Sequence, residues 1–184
     1  MANGKVSHAY PGCRFVARPY LGIHSRFHSA DSPAENCCLQ LNYLMSAEKI
    51  LVVEDNAVDM SLVAGRLVRE GYTVVRAISG IEAIRAARVE EPDLMVLDLT
   101  LIPEDRLNTP LWDGFSLLEW MHRVLPGAGF PVIVHTASPI SSIAIQARKI
   151  GVRCVFEKGE DLEGVLSTVR EVLDERNARR ASGE

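Results

Sequence analysis

No stretch of this sequence approaches the roughly 18 consecutive apolar residues that a membrane-spanning helix needs, so no membrane partner is expected. Nor does a Gly-rich turn follow the first apolar run, where Glu54-Asp55-Asn56-Ala57 stands instead, which argues against a phosphate-cradling loop and a nucleotide-binding enzyme. Clustered Lys and Arg are not a feature of the body of the chain. Its net charge is −4, and because Lys5, Arg14, Arg18 and Arg26 outnumber Asp31 and Glu35 before residue 45, the remainder carries −6. An acidic body excludes nucleic acid as the main partner, since neutralising phosphates takes grouped cations. The four cysteines, Cys13, Cys37, Cys38 and Cys154, show no framework spacing. They read as thiols in a reducing, cytoplasmic setting, with Cys154 a small hydrophobe inside an apolar run.

Residues 1–44 also lack a secretory h-region and any sustained periodicity, and mix Pro, Gly, Ser, His and Arg. The pairs His24/His28 and Cys37/Cys38 fit no strong zinc spacing, so solvated side chains are the better account. Met45, just before the first apolar run, would itself serve as a start. The expected organisation is an N-terminal extension over 1–46, disordered or a product of start-site choice, a domain over 47–176 and a tail over 177–184. The few residues after the last expected helix are too short a segment for an output domain.

From Lys49 onward, short apolar runs alternate with segments of helical period. The strand candidates are Ile50–Val53, Tyr72–Ala77, Leu94–Leu97, Val132–His135 and Arg153–Phe156. Near-continuous apolar runs suit strands covered on both faces. Helices are expected from about Ala57 to Gly71, from Ser79 to before Pro92, over Gly114–Val124 and Ser141–Ile150, and through Leu162 to Leu173, where Leu162, Val165, Leu166, Val169, Val172 and Leu173 make an i, i+3, i+4, i+7 stripe. This alternation predicts an α/β fold, a doubly wound, flavodoxin-like (βα)5 sandwich around a five-stranded parallel sheet.

In such a sheet, ligands sit beyond the carboxyl ends of the strands. Glu54 and Asp55 follow the first run, Asp98 the third, Thr136 with Ala137 and Ser138 the fourth, and Lys158 the fifth. Singly, each has a bland reading as a helix cap, loop acid, turn hydroxyl or surface charge. Independent caps give no reason for all of them to fall at successive strand ends, and the joint pattern points to a site.

The runs Ile50–Asn56, Pro92–Leu99, Pro131–Ser138 and Val155–Lys158 resemble the signatures of the response-regulator receiver domain, of CheY-like type, with 43 residues from Asp55 to Asp98 and 22 from Thr136 to Lys158. The resemblance implies that Asp98 accepts a phosphoryl group. It also implies that Glu54, Asp55, Asp98 and the Thr100 main-chain carbonyl hold Mg²⁺, that Thr136 and Lys158 bind the phosphoryl oxygens and carry the switch, and that Thr100 and Ser138 are tuning positions. Implied partners are a sensor histidine kinase or histidine phosphotransfer protein and a downstream protein target, reached through the fourth helix, fifth strand and fifth helix. The protein would then be a stand-alone phosphoacceptor, not an enzyme beyond its own phosphorylation and dephosphorylation. The runner-up is a pseudo-receiver that docks partners without phosphorylation. An aspartate-nucleophile hydrolase would want an acid two residues after Asp98, and position 100 is Thr.

Three departures from the family pattern stand out. Pro103 and Asp113-Gly114 are present, but Glu104 to Trp112 separate them, either as a tolerated insertion or as a lid carrying Glu104 and Asp105. Gly159 follows Lys158 where the family has a proline in cis linkage. Val155 stands where an aromatic usually rotates with the switch threonine, and Phe156 should face the other side of the strand. His135, before Thr136, is expected as a packed strand residue.

Overall fold

A computed structural model of the protein describes residues 48–101, 113–125, 129–159 and 162–182. In chain order they form β1 (Lys49–Val53), α1 (Ala57–Arg69), β2 (Thr73–Ala77), α2 (Gly80–Glu90), β3 (Leu94–Leu97), α3 (Gly114–Val124), β4 (Val132–Thr136), α4 (Ile140–Ile150), β5 (Cys154–Glu157) and α5 (Leu162–Ser182). The strands make one parallel sheet in the order β2-β1-β3-β4-β5, the doubly wound arrangement the alternation implied. Expected strand ends differ from these by single residues.

Burial explains which strands lie inside. Ile50–Val53, Leu94–Leu97 and Val132–Thr136 are buried throughout, as strands covered on both faces must be, while the edge strand β2 is largely half-buried or exposed. Alternation splits the apolar side chains between two layers. Ile50, Val52, Leu94, Val96 and Ile133 pack with Met60, Val63 and Leu67 of α1 and with Val165, Leu166, Val169 and Leu173 of α5. Alternation turns Leu51, Met95 and Val134 to the opposite face of the sheet.

Local chemistry sets the helix ends. The Asn56 side chain accepts from the N–H groups of Val58 and Asp59, satisfying two otherwise orphaned donors of α1, and Ser79 caps α2 through the N–H of Glu82. Asp113 caps α3 through the N–H of Ser116 at 2.7 Å. Gly151, at φ 86, closes α4 in the left-handed conformation that glycine adopts without steric cost.

Two expectations need correction. Residues 177–182, expected as tail, continue α5 to Ser182. The apolar stripe stops at Leu173, but Asn177 donates to Glu48 at 2.6 Å and Arg176 pairs with Asp93 at 2.9 Å, so polar contacts carry the helix onward where packing no longer does. Cys154 is disulfide-bonded, not the thiol its apolar neighbours suggested. Such neighbours suit either state. The expectations for the 1–46 extension and for Glu104 and Asp105 fall outside the described residues.

Gly114 ties α3 to the end of β3. Its N–H donates to the Leu99 carbonyl at 3.0 Å, and a Cβ there would lie 2.7 Å from Leu99 Cα and 2.8 Å from the Asp98 carbonyl oxygen. Backbone atoms cannot yield as a side-chain tip can. Gly114→Ala is therefore expected to lower the unfolding free energy by about 1–3 kcal/mol, the usual cost of forcing extra volume into a packed site. Urea denaturation with an unchanged midpoint would show the approach to be looser than this.

Candidate functional site

The carboxyl ends of β1, β3, β4 and β5 face one pocket edge, and backbone hydrogen bonds fix each end. The Glu54 N–H donates to the Ala77 carbonyl at 3.0 Å, that of Asp98 to Val53 at 2.9 Å and that of Lys158 to Thr136 at 2.8 Å. The functional side chains therefore leave a rigid sheet edge rather than loose loops.

Glu54 and Asp98 are nearly inaccessible, at 3% and 4% exposure, and Asp55 is half-buried beside them. One carboxylate oxygen from each of the three lies within 4.8 Å of the others. Burial pushes the Glu54 carboxyl above the ordinary carboxylate range; its hydrogen bond with Lys158 opposes that shift, and the nearby Asp98 charge adds to it. Grouped acids with oxygen ligands are the donor set of a hard divalent cation such as Mg²⁺. Thr100 closes a tight turn around the acid, its N–H donating to Asp98 Oδ1 at 3.0 Å.

Lys158 is the counter-charge. Its Nζ lies 2.7 Å from Glu54 Oε2, 2.7 Å from Asp98 Oδ2 and 3.0 Å from Asp59 Oδ2. Burial alone would lower its pKa, yet hydrogen bonds to Asp98, Glu54 and Asp59 outweigh it and push the ammonium above its ordinary value. The lysine stays charged. After it the chain turns at Gly159, with φ 88, and the described residues contain no cis peptide bond. The departure from proline is thus a different turn rather than the same turn without its ring: proline is held near φ −65° and could not occupy this one.

The Thr136 side chain is wholly buried, and its Oγ1 accepts from the Ser138 N–H at 3.3 Å, which leaves the hydroxyl proton available to another acceptor. Next to it, His135 is buried in register with Phe156. Burial, then the Lys158 charge, lowers the His135 pKa below the ordinary imidazole value, so the ring is neutral at pH 7. Phe156 packs against the core shared by α1 and α5, while Val155 takes the alternate face of β5.

Sequence reasoning missed Asp59. An acid in the first turn of a helix ordinarily complements the helix dipole, and that reading hid its contact with Lys158. The signal that would have found it is position: Asp59 stands in the first turn of α1, just past the Asn56 cap and the acid pair that follows β1, and so close to the carboxyl edge of the sheet.

Residues 50–170 match the response regulator receiver domain. The chain belongs to that family. A receiver domain of CheY-like type from Methanospirillum hungatei JF-1 superposes with a TM-score of 0.62 at 25% identity, over 73% of this chain and 99% of that one. The transcriptional regulatory protein GlrR of Escherichia coli (strain K12) is 32% identical over 68% of this chain, which corresponds to 26% of GlrR. This chain thus spans about a quarter of that relative. Protein PilH of Pseudomonas aeruginosa is 26% identical over 68% of this chain and 97% of PilH. Receivers are phosphoacceptor signalling modules rather than enzymes in the usual sense, generally bind Mg²⁺ at an acidic pocket, and engage histidine kinases or phosphotransfer proteins and downstream targets. Among the described residues, no helix is long and apolar enough to cross a membrane.

Removing Lys158 would leave Glu54 and Asp98 buried without their cation. In Mg²⁺-free buffer at pH 7.5, Lys158→Met is expected to lower the unfolding free energy by about 3 kcal/mol, typical of breaking a buried pair. Because Glu54 has a raised pKa in the folded state, its penalty is fully present above that pKa and is relieved as pH falls through it. The loss should therefore shrink at pH 5.5. Equal losses at the two pH values would show that the carboxylates do not depend on Lys158.

Proposed function

We propose that Asp98 accepts a phosphoryl group from a phosphohistidine on a sensor histidine kinase or histidine phosphotransfer protein. The observation that carries this reading is a buried Asp98 carboxylate 2.7 Å from Lys158 Nζ, beside Glu54 and Asp55 at one sheet edge. An Asp98 oxygen attacks phosphorus, the P–N bond breaks, and its electron pair returns to the donor imidazole as an acyl phosphate forms. Glu54, Asp55, Asp98 and the Thr100 main-chain carbonyl are assigned to Mg²⁺, which when bound offsets the negative charge of the carboxylates and phosphoryl oxygens.

Lys158 then exchanges its contact with the Asp98 carboxylate for a phosphoryl oxygen. The Thr136 hydroxyl donates to another, drawing the loop that holds Ser138 toward Asp98, with Thr100 and Ser138 as tuning positions. The rearrangement is transmitted through α4, β5 and α5 to a downstream protein target, in the cytoplasm, where nucleoside triphosphate supplies the kinase. A receiver that works without an attached output domain is in keeping with PilH and with the polar-differentiation response regulator DivK of Brucella ovis, whose own lengths the match covers to 97% and 96%. With Val155 in place of an aromatic and Phe156 half-buried against the core on the other face, the customary ring rotation is not the route, and the Thr136–Ser138 turn carries the switch.

Acetyl phosphate with Mg²⁺ is expected to add one phosphoryl group by intact mass, and Asp98→Asn to abolish the addition. A wild-type mass that stays unmodified would falsify the phosphoacceptor reading and favour a pseudo-receiver. Mg²⁺ affinity should also weaken from pH 7.5 to 5.5, because a raised Glu54 must lose a proton before it can ligate. Calorimetric titrations with equal affinities would remove Glu54 from the ligand set.

A further inference from the structure

The opposite end of the sheet carries a cavity of about 590 Å³, a size suited to a small organic ligand. It opens where β4 and β5 begin and where α5 passes them. Phe130, Pro131 and Val172 give it an apolar wall, and Arg153, Arg176, Arg179 and Arg180 give it a cationic one, against which Glu175 is the acid in the lining. Val172, Arg176, Arg179 and Arg180 fall at helical spacing, so one face of α5 supplies most of that lining.

Structural duty accounts for only part of the positive charge. Arg153 makes a two-pronged contact with Glu175 at 2.7 and 2.9 Å, stapling β5 to α5, and Arg176 pairs with Asp93 at 2.9 Å, stapling α5 to the start of β3. Arg180 reaches the same Asp93 oxygen at 3.4 Å, and Arg179 reaches the already engaged Glu175 at 3.9 Å. Each guanidinium has five N–H donors, so Arg179 and Arg180 retain most of theirs. Four cations face two acids, and burial, with the Arg180 charge behind it, lowers the Arg176 pKa. An anion would relieve that crowding.

We propose that this cavity binds a nucleotide, its phosphates taken by Arg179 and Arg180 and its base laid against Phe130. Guanidiniums match phosphate geometry with two parallel N–H donors, and a flat aromatic ring offers a base its stacking surface. Arginine recognition of this kind needs no Gly-rich loop. Bound there, the ligand would bridge α5 to the strands it crosses, so that α5, one element of the proposed output face, would respond to a small molecule as well as to the acid site.

The test is calorimetric titration of the full chain with ADP and with GDP in EDTA, which silences metal-dependent binding at the acidic pocket. At least one nucleotide should bind more tightly than pyrophosphate and than the matching nucleoside. Arg179→Gln/Arg180→Gln should weaken it tenfold or more while far-UV circular dichroism is unchanged, and Asp98→Asn should bind like wild type. Absence of binding by both nucleotides at millimolar concentration would mean that the arginines only staple and cap α5. Pyrophosphate binding as tightly as the nucleotide would remove Phe130 from the site. Full affinity in the double variant, or lost affinity in Asp98→Asn, would place binding elsewhere. Any of these results overturns the proposal without touching the phosphoacceptor reading.

Discussion

One ammonium group holds the carboxyl edge of the sheet together. Lys158 touches Glu54 and Asp59, where β1 passes into α1, and Asp98, at the end of β3. Charges this close and this shielded repel strongly, so the strand ends can meet only while a cation stands among them. Backbone geometry serves the same end. The Lys158 N–H is tied to Thr136, and the chain leaves through the left-handed Gly159, which aims the lysine inward without a proline. Asp98 is thus joined through a single side chain to the strand end that β5 presents.

The sheet was legible because its central strands are written as unbroken apolar runs. Leu94–Leu97 is buried at every position, and a run of that kind between two helical periods has few other homes. Gly114–Val124 was legible for a similar reason, an acid cap and a glycine ahead of an amphipathic stretch. The acids, hydroxyl and amine after the strands were legible because parallel topology places all strand ends on one edge. The extent of α5 was not, since its last turns are held by Arg176 and Asn177 rather than by an apolar stripe, and hydrogen-bond partners 83 and 129 residues away leave no periodic trace.

Asp59 and Cys154 show the same limit from two sides. A residue's type states what it can do, and its neighbours in space decide which ability is used. Asp59 had an adequate local role at a helix start, and Cys154 an adequate one in an apolar strand, so neither showed the anomaly that draws attention in a sequence. Gly159 differed: the missing proline was visible, but only the folded chain shows that the turn runs through φ 88.

The contact between Gly114 and the Leu99 backbone has a further consequence. It lies immediately past Asp98, and together with the Asp113 cap it clamps the return of the chain into α3. Backbone atoms stand on both sides of that approach, so main chain rather than side-chain packing sets the spacing between α3 and the turn that carries the acid. Gly114 is in effect a hard stop: any side chain there would be felt at the Asp98 backbone before it was felt elsewhere in α3.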